Sequence, residues 1–390
     1  METSFRDCLC SSPGKAMLLV FMAFFCNSDT AAAPAMFIFG GSLVDNGNNN
    51  FIPSIAKANY FPYGIDLGAP TGRFCNGLTM IDLAGNSLAL LLVLGSRIPF
   101  DKQIKLFAET VSEQLPIMIP GAEVLFEFLS SSLFIINVGS NDYINNYPLP
   151  ELYPSSSTCS GKHFAKLLIH QEQVVSSCFY ITLIAEEKGV PLNSKIHNSS
   201  EADVIQDSSK SLAINNQFMD LQSSGSPQTI YSIGARKILL AGLGPLGCTP
   251  SQLSMSYITS GCVNHVNELV IQFNQFLIPA MVRLNSTLPG SFFVHQNNYD
   301  TFFNMIQTPS KYGGLPSGFS VSKQACCGNG RSGGQLTCLP LQNTCSARDR
   351  YIFWDSFHPT QAANAIIARK CLPLTDGECF PISGNQLAEL

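Results

Sequence analysis

The sequence predicts an α/β fold built on a parallel sheet with helices on both faces. Four short apolar runs have the length of buried strands, and each ends in a polar or glycine-rich turn. Segments of helical period fill several of the gaps between them, the alternation expected of a covered parallel sheet. The composition permits a large core: 45% of the 390 residues are hydrophobic and 13% are charged, against about 25% charged in typical soluble chains. That balance excludes a disordered chain, which needs low hydrophobicity and high charge. A net charge of −5 argues against a nucleic-acid partner, which needs a basic face. The absence of a sustained short period excludes collagen and coiled coil.

Taken in order, the chain opens with a secretory pattern. Arg6 and Lys15 precede the apolar run Ala16–Cys26, and the small residues Ala31, Ala32 and Ala33 follow as a cleavage site requires. The run has 11 residues, against about 20 for a membrane span, so residues 1–33 are expected to be a cleaved signal and no stable membrane span is expected. Ala35–Phe39 then leads into Gly40-Gly41-Ser42, and Leu133–Val138 into Gly139-Ser140-Asn141-Asp142. Lys237–Ala241 leads into Gly242-Leu243-Gly244-Pro245, and Ser291–His295 into Gln296-Asn297-Asn298. Helical period marks Ile104–Leu115, Val263–Leu284 and Thr360–Lys370. Ligand sites in such sheets lie beyond the carboxyl ends of the strands, which places Ser42, Asn141 and the Gly242 loop on one edge. Residues 172–227 open with the apolar piece Cys178–Ala185, turn polar and Ser-rich, and keep no period. They read as a surface insertion in a single domain over 34–380, followed by a tail over 381–390.

Eleven of the fourteen cysteines remain once Cys8, Cys10 and Cys26 leave with the signal. Secretion permits disulfides. Cys326, Cys327, Cys338 and Cys345 look like a stapled loop, Cys248 and Cys262 suit a second, and the odd count leaves a thiol unpaired within a monomer. Zinc is disfavoured: no Cys-x-x-Cys occurs and none of the six histidines lies within five residues of another. Two glycosylation sequons stand at Asn198 and Asn285.

Two stretches match G-x-G-x-x-G, at Gly242/Gly244/Gly247 and Gly328/Gly330/Gly333. Pro245 and Pro250 oppose a helix after the first, and the second follows no strand, so both read as tight loops rather than dinucleotide sites. A G-x-S-x-G elbow is absent at Ser42, because Val44 occupies the last position. In Trp354-Asp355-Ser356-Phe357-His358-Pro359-Thr360, Pro359 suits the first position of a helix and puts His358 at its entrance. Asp355 is then close enough to accept a hydrogen bond from the imidazole and select its tautomer. An Asp-x-x-His is common as a surface pair; its value depends on a nucleophile on the same edge, and Ser42 is such a candidate.

Several ordered blocks resemble the plant GDSL esterase/lipase family of the SGNH-hydrolase superfamily. They are "FIFGGSLVDNGNNN" at 37–50, "GRFCNGLTMID" at 72–82, "LFIINVGSNDYINNY" at 133–147, "YSIGARKILLAGLGPLGCTPSQL" at 231–253, "ACCGNGRSGGQLTCLPLQNTC" at 325–345 and "YIFWDSFHPTQAAN" at 351–364. The resemblance covers about Met36 to Cys371 outside the insertion. It implies a three-layer α/β/α, flavodoxin-like fold and serine ester hydrolysis without a cofactor or metal. Carried over by motif, Ser42 is the nucleophile, His358 the base oriented by Asp355, and Asn141 an oxyanion donor beside the Ser42 N–H. Two departures stand out. The family's Asp before the serine is Gly41 here, which should loosen the nucleophile loop. The family's strand and glycine-rich turn between the second and third blocks is expected to be deleted, leaving the sheet short of one family strand: Leu90–Leu94 with Gly95 is either a substitute strand and oxyanion turn or the apolar end of a helix.

The reading that follows is a secreted, extracellular (cell wall or apoplast) monomer cleaving lipid acyl or acetyl esters through a Ser-His-Asp triad and an acyl-enzyme. The alternative is an impaired secreted relative that binds a ligand or wall component. Gly41 and the missing turn point to the second; Ser42, Asn141, Asp355 and His358 point to the first.

Overall fold

The computed structural model describes residues 33–54, 56–88, 90–94, 99–147, 156, 159–170, 227–256, 261–313, 318–371 and 378–390. Residues 1–32 of the expected leader, Gly95, Asn198 and all of the expected insertion but Pro227 lie outside the described residues; Ala33, the last residue of that leader, is buried with the core. Six strands form the main sheet: β1 (Ala35–Gly40), β2 (Leu90–Leu94), β3 (Leu133–Asn137), β4 (Lys237–Ala241), β5 (Phe292–Gln296) and β8 (Cys379–Phe380), in the order β2-β1-β3-β4-β5-β8. All neighbours are parallel except the antiparallel β5/β8 pair. Leu90–Leu94 is therefore a strand, not a helix end. It runs beside β1 with Ala35 opposite Leu90 and Phe39 opposite Leu94, so the edge of the sheet next to β1 is filled rather than lost.

Strand residues alternate between two buried faces, as a period of two requires. Phe37, Phe39, Phe134, Ile136, Ile238 and Leu240 pack on one side against the helices Phe100–Glu109 and Asn264–Thr287. Met36, Ile38, Ile135, Leu239 and Val294 pack on the other against Met80–Leu88, Asn298–Gln307 and Gln361–Cys371. The result is three layers. No described helix is long and apolar enough to cross a membrane.

A smaller parallel pair, β6 (Val321–Ala325) and β7 (Tyr351–Phe353), lies outside the sheet. It carries the cysteine cluster, which closes as Cys326–Cys345 and Cys327–Cys338; Cys248–Cys262 and Cys371–Cys379 close two more loops. Cys75 is the free, buried thiol among the described residues.

Three local expectations change. Pro250 does not oppose a helix but begins one, Pro250–Met255, because Thr249 caps it by accepting the Gln252 N–H and proline's missing N–H is not needed at the first position. Pro359 is not a first helical residue: it bridges Phe353 in antiparallel fashion, and the helix starts at Gln361 with the Thr360 hydroxyl accepting the Ala363 N–H. Residues 381–390 are not a loose tail. Ser383 and Gln386 form a capping box for the helix Gly384–Glu389, whose Leu387 and Ala388 join the core.

Candidate active site

Asp355 and His358 share a tight loop that leaves β7. The Trp354 N–H donates to the His358 carbonyl at 2.7 Å, and Thr360 N–H to Ile352 O at 2.9 Å, closing the loop at its base. Asp355 Oδ1 accepts the N–H groups of Phe357 (2.9 Å) and His358 (2.8 Å), so the carboxylate folds its own loop as an Asx turn. The cystine cluster backs it from outside: Cys326 N–H donates to Phe353 O and Cys327 N–H to Trp354 O. His358 Nδ1 lies 2.8 Å from Asp355 Oδ1 and 2.9 Å from Oδ2. Its Nε2 lies 2.7 Å from Ser42 Oγ, across 316 residues of chain. The Phe74 ring covers the imidazole, with centroids 5.0 Å apart.

Asp355 is fully buried. Burial by itself pushes its carboxyl up, but the facing His358 and hydrogen bonds from His358, Tyr63 and Phe357 together hold it below the ordinary carboxylate value. Tyr63, also buried, donates its hydroxyl to Asp355 Oδ2 at 2.7 Å.

Ser42 follows β1, where the backbone is pinned from two sides. Gly40 donates its N–H to Gln103 Oε1 (2.9 Å) and accepts from Gln103 Nε2 (3.1 Å). Gly41 N–H donates to Asn137 O at the end of β3. A Cβ at Gly40 would sit 2.4 Å from Asn137 O, so only glycine allows this approach of β1 to β3. After the serine, Asp45 Oδ1 accepts the N–H groups of Gly47 and Asn48. Asp82 takes a two-pronged contact from Arg73 and accepts from Asn46, tying this loop to the 72–82 block.

Asn141 follows β3. Its Oδ1 accepts from Asn145 Nδ2 at 3.2 Å, which turns its own amide N–H₂ the other way. Nδ2 then comes within 3.0 Å of where a Cβ on Gly41 would be. Beside the site is an apolar cavity of about 60 Å³ lined by Leu43, Ser140 and Phe357, the chain neighbours of Ser42, Asn141 and His358, and by Leu246, Phe302 and Ile367 among others. Among the described residues no group of three or more His, Cys, Asp or Glu side chains is arranged to hold a metal ion.

The structure thus brings Ser42, His358 and Asp355 into one hydrogen-bonded line and puts Asn141 next to it. Asn285 is engaged elsewhere: its amide donates to Phe293 O (2.9 Å) and accepts Phe293 N–H (2.7 Å), tying the helix Asn264–Thr287 to β5. Chemically, the line can move a proton from a hydroxyl to a ring nitrogen whose far side faces a buried carboxylate.

A family model for GDSL-like lipase/acylhydrolase matches residues 196–371. The chain is 42% identical to GDSL esterase/lipase 7 of Arabidopsis thaliana, covering 92% of this chain and 93% of that protein. The chain belongs to the GDSL esterase/lipase family. A second Arabidopsis thaliana GDSL esterase/lipase is 35% identical, with 93% and 89% of the two chains covered. A third is 34% identical, with 93% and 88% covered. At the level of the family, the activity of this GDSL esterase/lipase is carboxylic ester hydrolysis, and its three-layer fold is that of the family. Two of the side chains that hold the line were not legible in the sequence. Gln103 looks like one polar residue in an amphipathic helix, and Tyr63 sits in an aromatic, proline-containing loop 292 residues from the carboxylate it meets.

Proposed function

We propose that this GDSL esterase/lipase is a secreted serine hydrolase acting on acyl or acetyl esters, with Ser42 as nucleophile, His358 as base and Asp355 as its orienting carboxylate. One observation carries the reading: Ser42 Oγ lies 2.7 Å from His358 Nε2 while Nδ1 of the same ring faces buried Asp355. A neutral serine hydroxyl is a poor nucleophile until a base takes its proton. His358 Nε2 accepts that proton as Oγ attacks the ester carbonyl. Asp355 holds the Nδ1–H tautomer and stabilises the imidazolium that forms. The oxyanion is met by the Ser42 backbone N–H and the Asn141 Nδ2 amide, preset donors whose orientation is fixed before the charge appears. Collapse of the intermediate returns the proton from His358 to the leaving alcohol and leaves an acyl-enzyme on Ser42. Water, activated by the same ring, then releases the acid.

The apolar cavity beside Ser42 suits an acyl or alkyl group. The leader pattern over residues 1–33 and the disulfides support secretion. The test is labelling with a fluorophosphonate probe. The wild-type chain is expected to label at Ser42, and Ser42→Ala and His358→Ala to lose labelling. Equal labelling of wild type and Ser42→Ala would refute the nucleophile assignment, and no labelling of the wild-type chain would favour the ligand-binding alternative.

A further inference from the structure

We propose that Tyr63 is a positioning residue for ester hydrolysis: its hydroxyl, donated to Asp355 Oδ2, sets the carboxylate that orients His358. The inference rests on the triad reading above and extends it by one residue.

The two oxygens of Asp355 are held differently. Oδ1 accepts two backbone N–H groups, from Phe357 and His358, and faces His358 Nδ1 at 2.8 Å. Oδ2 faces the same Nδ1 at 2.9 Å and has the Tyr63 hydroxyl at 2.7 Å as its other donor. A carboxylate with 0% exposure needs a donor for each oxygen. Without Tyr63, Oδ2 would be left to the imidazole alone. The carboxylate could then pivot, and the ring that carries Nε2 would pivot with it.

Tyr63 is itself fixed. Its ring meets Tyr60, Phe74 and Trp354 edge-on at centroid distances of 5.4, 5.9 and 6.3 Å. Phe74 is the same ring that covers His358. Thr337 Oγ1 lies 3.4 Å from the Tyr63 oxygen. With the phenol proton committed to Asp355, the Thr337 hydroxyl is the donor in that contact. A chain of polar contacts therefore runs Thr337, Tyr63, Asp355, His358, Ser42. Its first member is next to Cys338, in the cystine-stapled segment.

The titratable groups facing Asp355 are His358, Tyr63, Tyr60 and Cys75. Burial first, and the Asp355 charge second, push the Tyr63 phenol well above its ordinary value. The same two causes raise Tyr60. Burial pushes the Cys75 thiol up to about 12. All three therefore keep their protons through the working range, and Tyr63 acts as a fixed neutral donor. By drawing charge out of Asp355, it limits how strongly the carboxylate favours the imidazolium.

Tyr63→Phe in the full chain keeps the ring and removes only the hydroxyl. With p-nitrophenyl butyrate as substrate, kcat is expected to fall about tenfold, as for a lost hydrogen bond to a charged group. KM should stay near wild type, while the melting temperature should drop, because buried Asp355 Oδ2 loses a donor; kcat is therefore read well below the unfolding transition. The acid limb of the kcat/KM profile should move to higher pH, because an undamped Asp355 holds the imidazolium longer. In an Asp355→Ala background the same substitution should change nothing further, since Tyr63 acts through Asp355. Wild-type kcat with an unmoved acid limb overturns the proposal, as does an equal loss of kcat in the Asp355→Ala background. If the Phe variant folds poorly, 3-fluorotyrosine at position 63 keeps shape and hydroxyl but donates more strongly. The limb should then move to lower pH, and an unmoved limb overturns the proposal. Turnover retained by His358→Ala marks a separate failure, that of the triad reading itself.

Discussion

Gly41 shows how one missing side chain is compensated. In the family pattern an Asp precedes the serine, and its loss should loosen the loop. Here Gln103 grips Gly40 through both backbone groups, and Gly41 is bonded to Asn137. A Cβ at position 41 would press on Asn141 Nδ2 at 3.0 Å. Glycine thus leaves room for the amide assigned to the oxyanion. Gly41→Ala is expected to lower kcat several-fold with little change in KM, short of the roughly 10²–10³ that full loss of an oxyanion donor costs. Steady-state kinetics on folded variant protein decide it; an unchanged kcat would mean that Asn141 yields freely or is not a donor. At this scale legibility followed distance along the chain. Asp355 and His358 are three residues apart, and Ser42 and Asn141 end apolar runs, so local pattern was enough to mark them. Tyr63 and Gln103 act on residues far along the chain, Gln103 at a separation of 63. No local spacing encodes such a contact.

Among the elements, four strands of the main sheet lie within one residue of the apolar runs that announce them. A parallel strand buried on both faces must be uniformly apolar, which makes it easy to see. The pair β6 and β7 is harder. Val321–Ala325 reads VSKQA, with only its last residue fully buried, and β7 has three residues. The two-residue β8 carries no pattern at all. The helix Phe100–Glu109 shows what an element contributes beyond packing. Its Ile104 and Phe107 face the core, while buried Gln103 satisfies the end of β1. Gln103→Ala should leave the Gly40 N–H and carbonyl unpaired in the interior, at about 1–3 kcal/mol for each orphaned group. The urea midpoint should fall, and kcat should fall with it at concentrations where the variant is still folded. A variant that loses stability but keeps full turnover would separate the helix from the placement of Ser42.

For the molecule as a whole, His295 sets a pH dependence. It lies on β5, 5% exposed, and its Nε2 has no hydrogen-bond partner among the described residues. Burial pushes the ring down to about 4, against about 6.5 when unfolded. Between those values the unfolded chain binds the proton and the folded chain does not, so stability falls as pH drops through this window. At pH 5 the loss from this group is about 2 kcal/mol relative to pH 7. Asp142, pushed up by burial to about 6, works in the opposite sense below that pH, so the net curve of the wild type blends the two. His295→Gln isolates one of them. Its unfolding free energy relative to wild type should rise by about 2 kcal/mol between pH 7 and pH 5. Parallel curves for the two proteins would show that His295 is protonated inside the fold.

Cys75 adds a consequence of another kind. It lies beside Phe74, the ring that covers His358, and it is fully enclosed with its thiol far from ionising. Thiol reagents attack thiolates that they can reach, and this sulfur offers neither while the segment stays closed. Its rate of modification therefore clocks how often the loop beside the active site opens, and comparison with global unfolding tells a local fluctuation from a general one. The chain carries its own stopwatch for breathing at the active site, readable with a coloured disulfide and no added label.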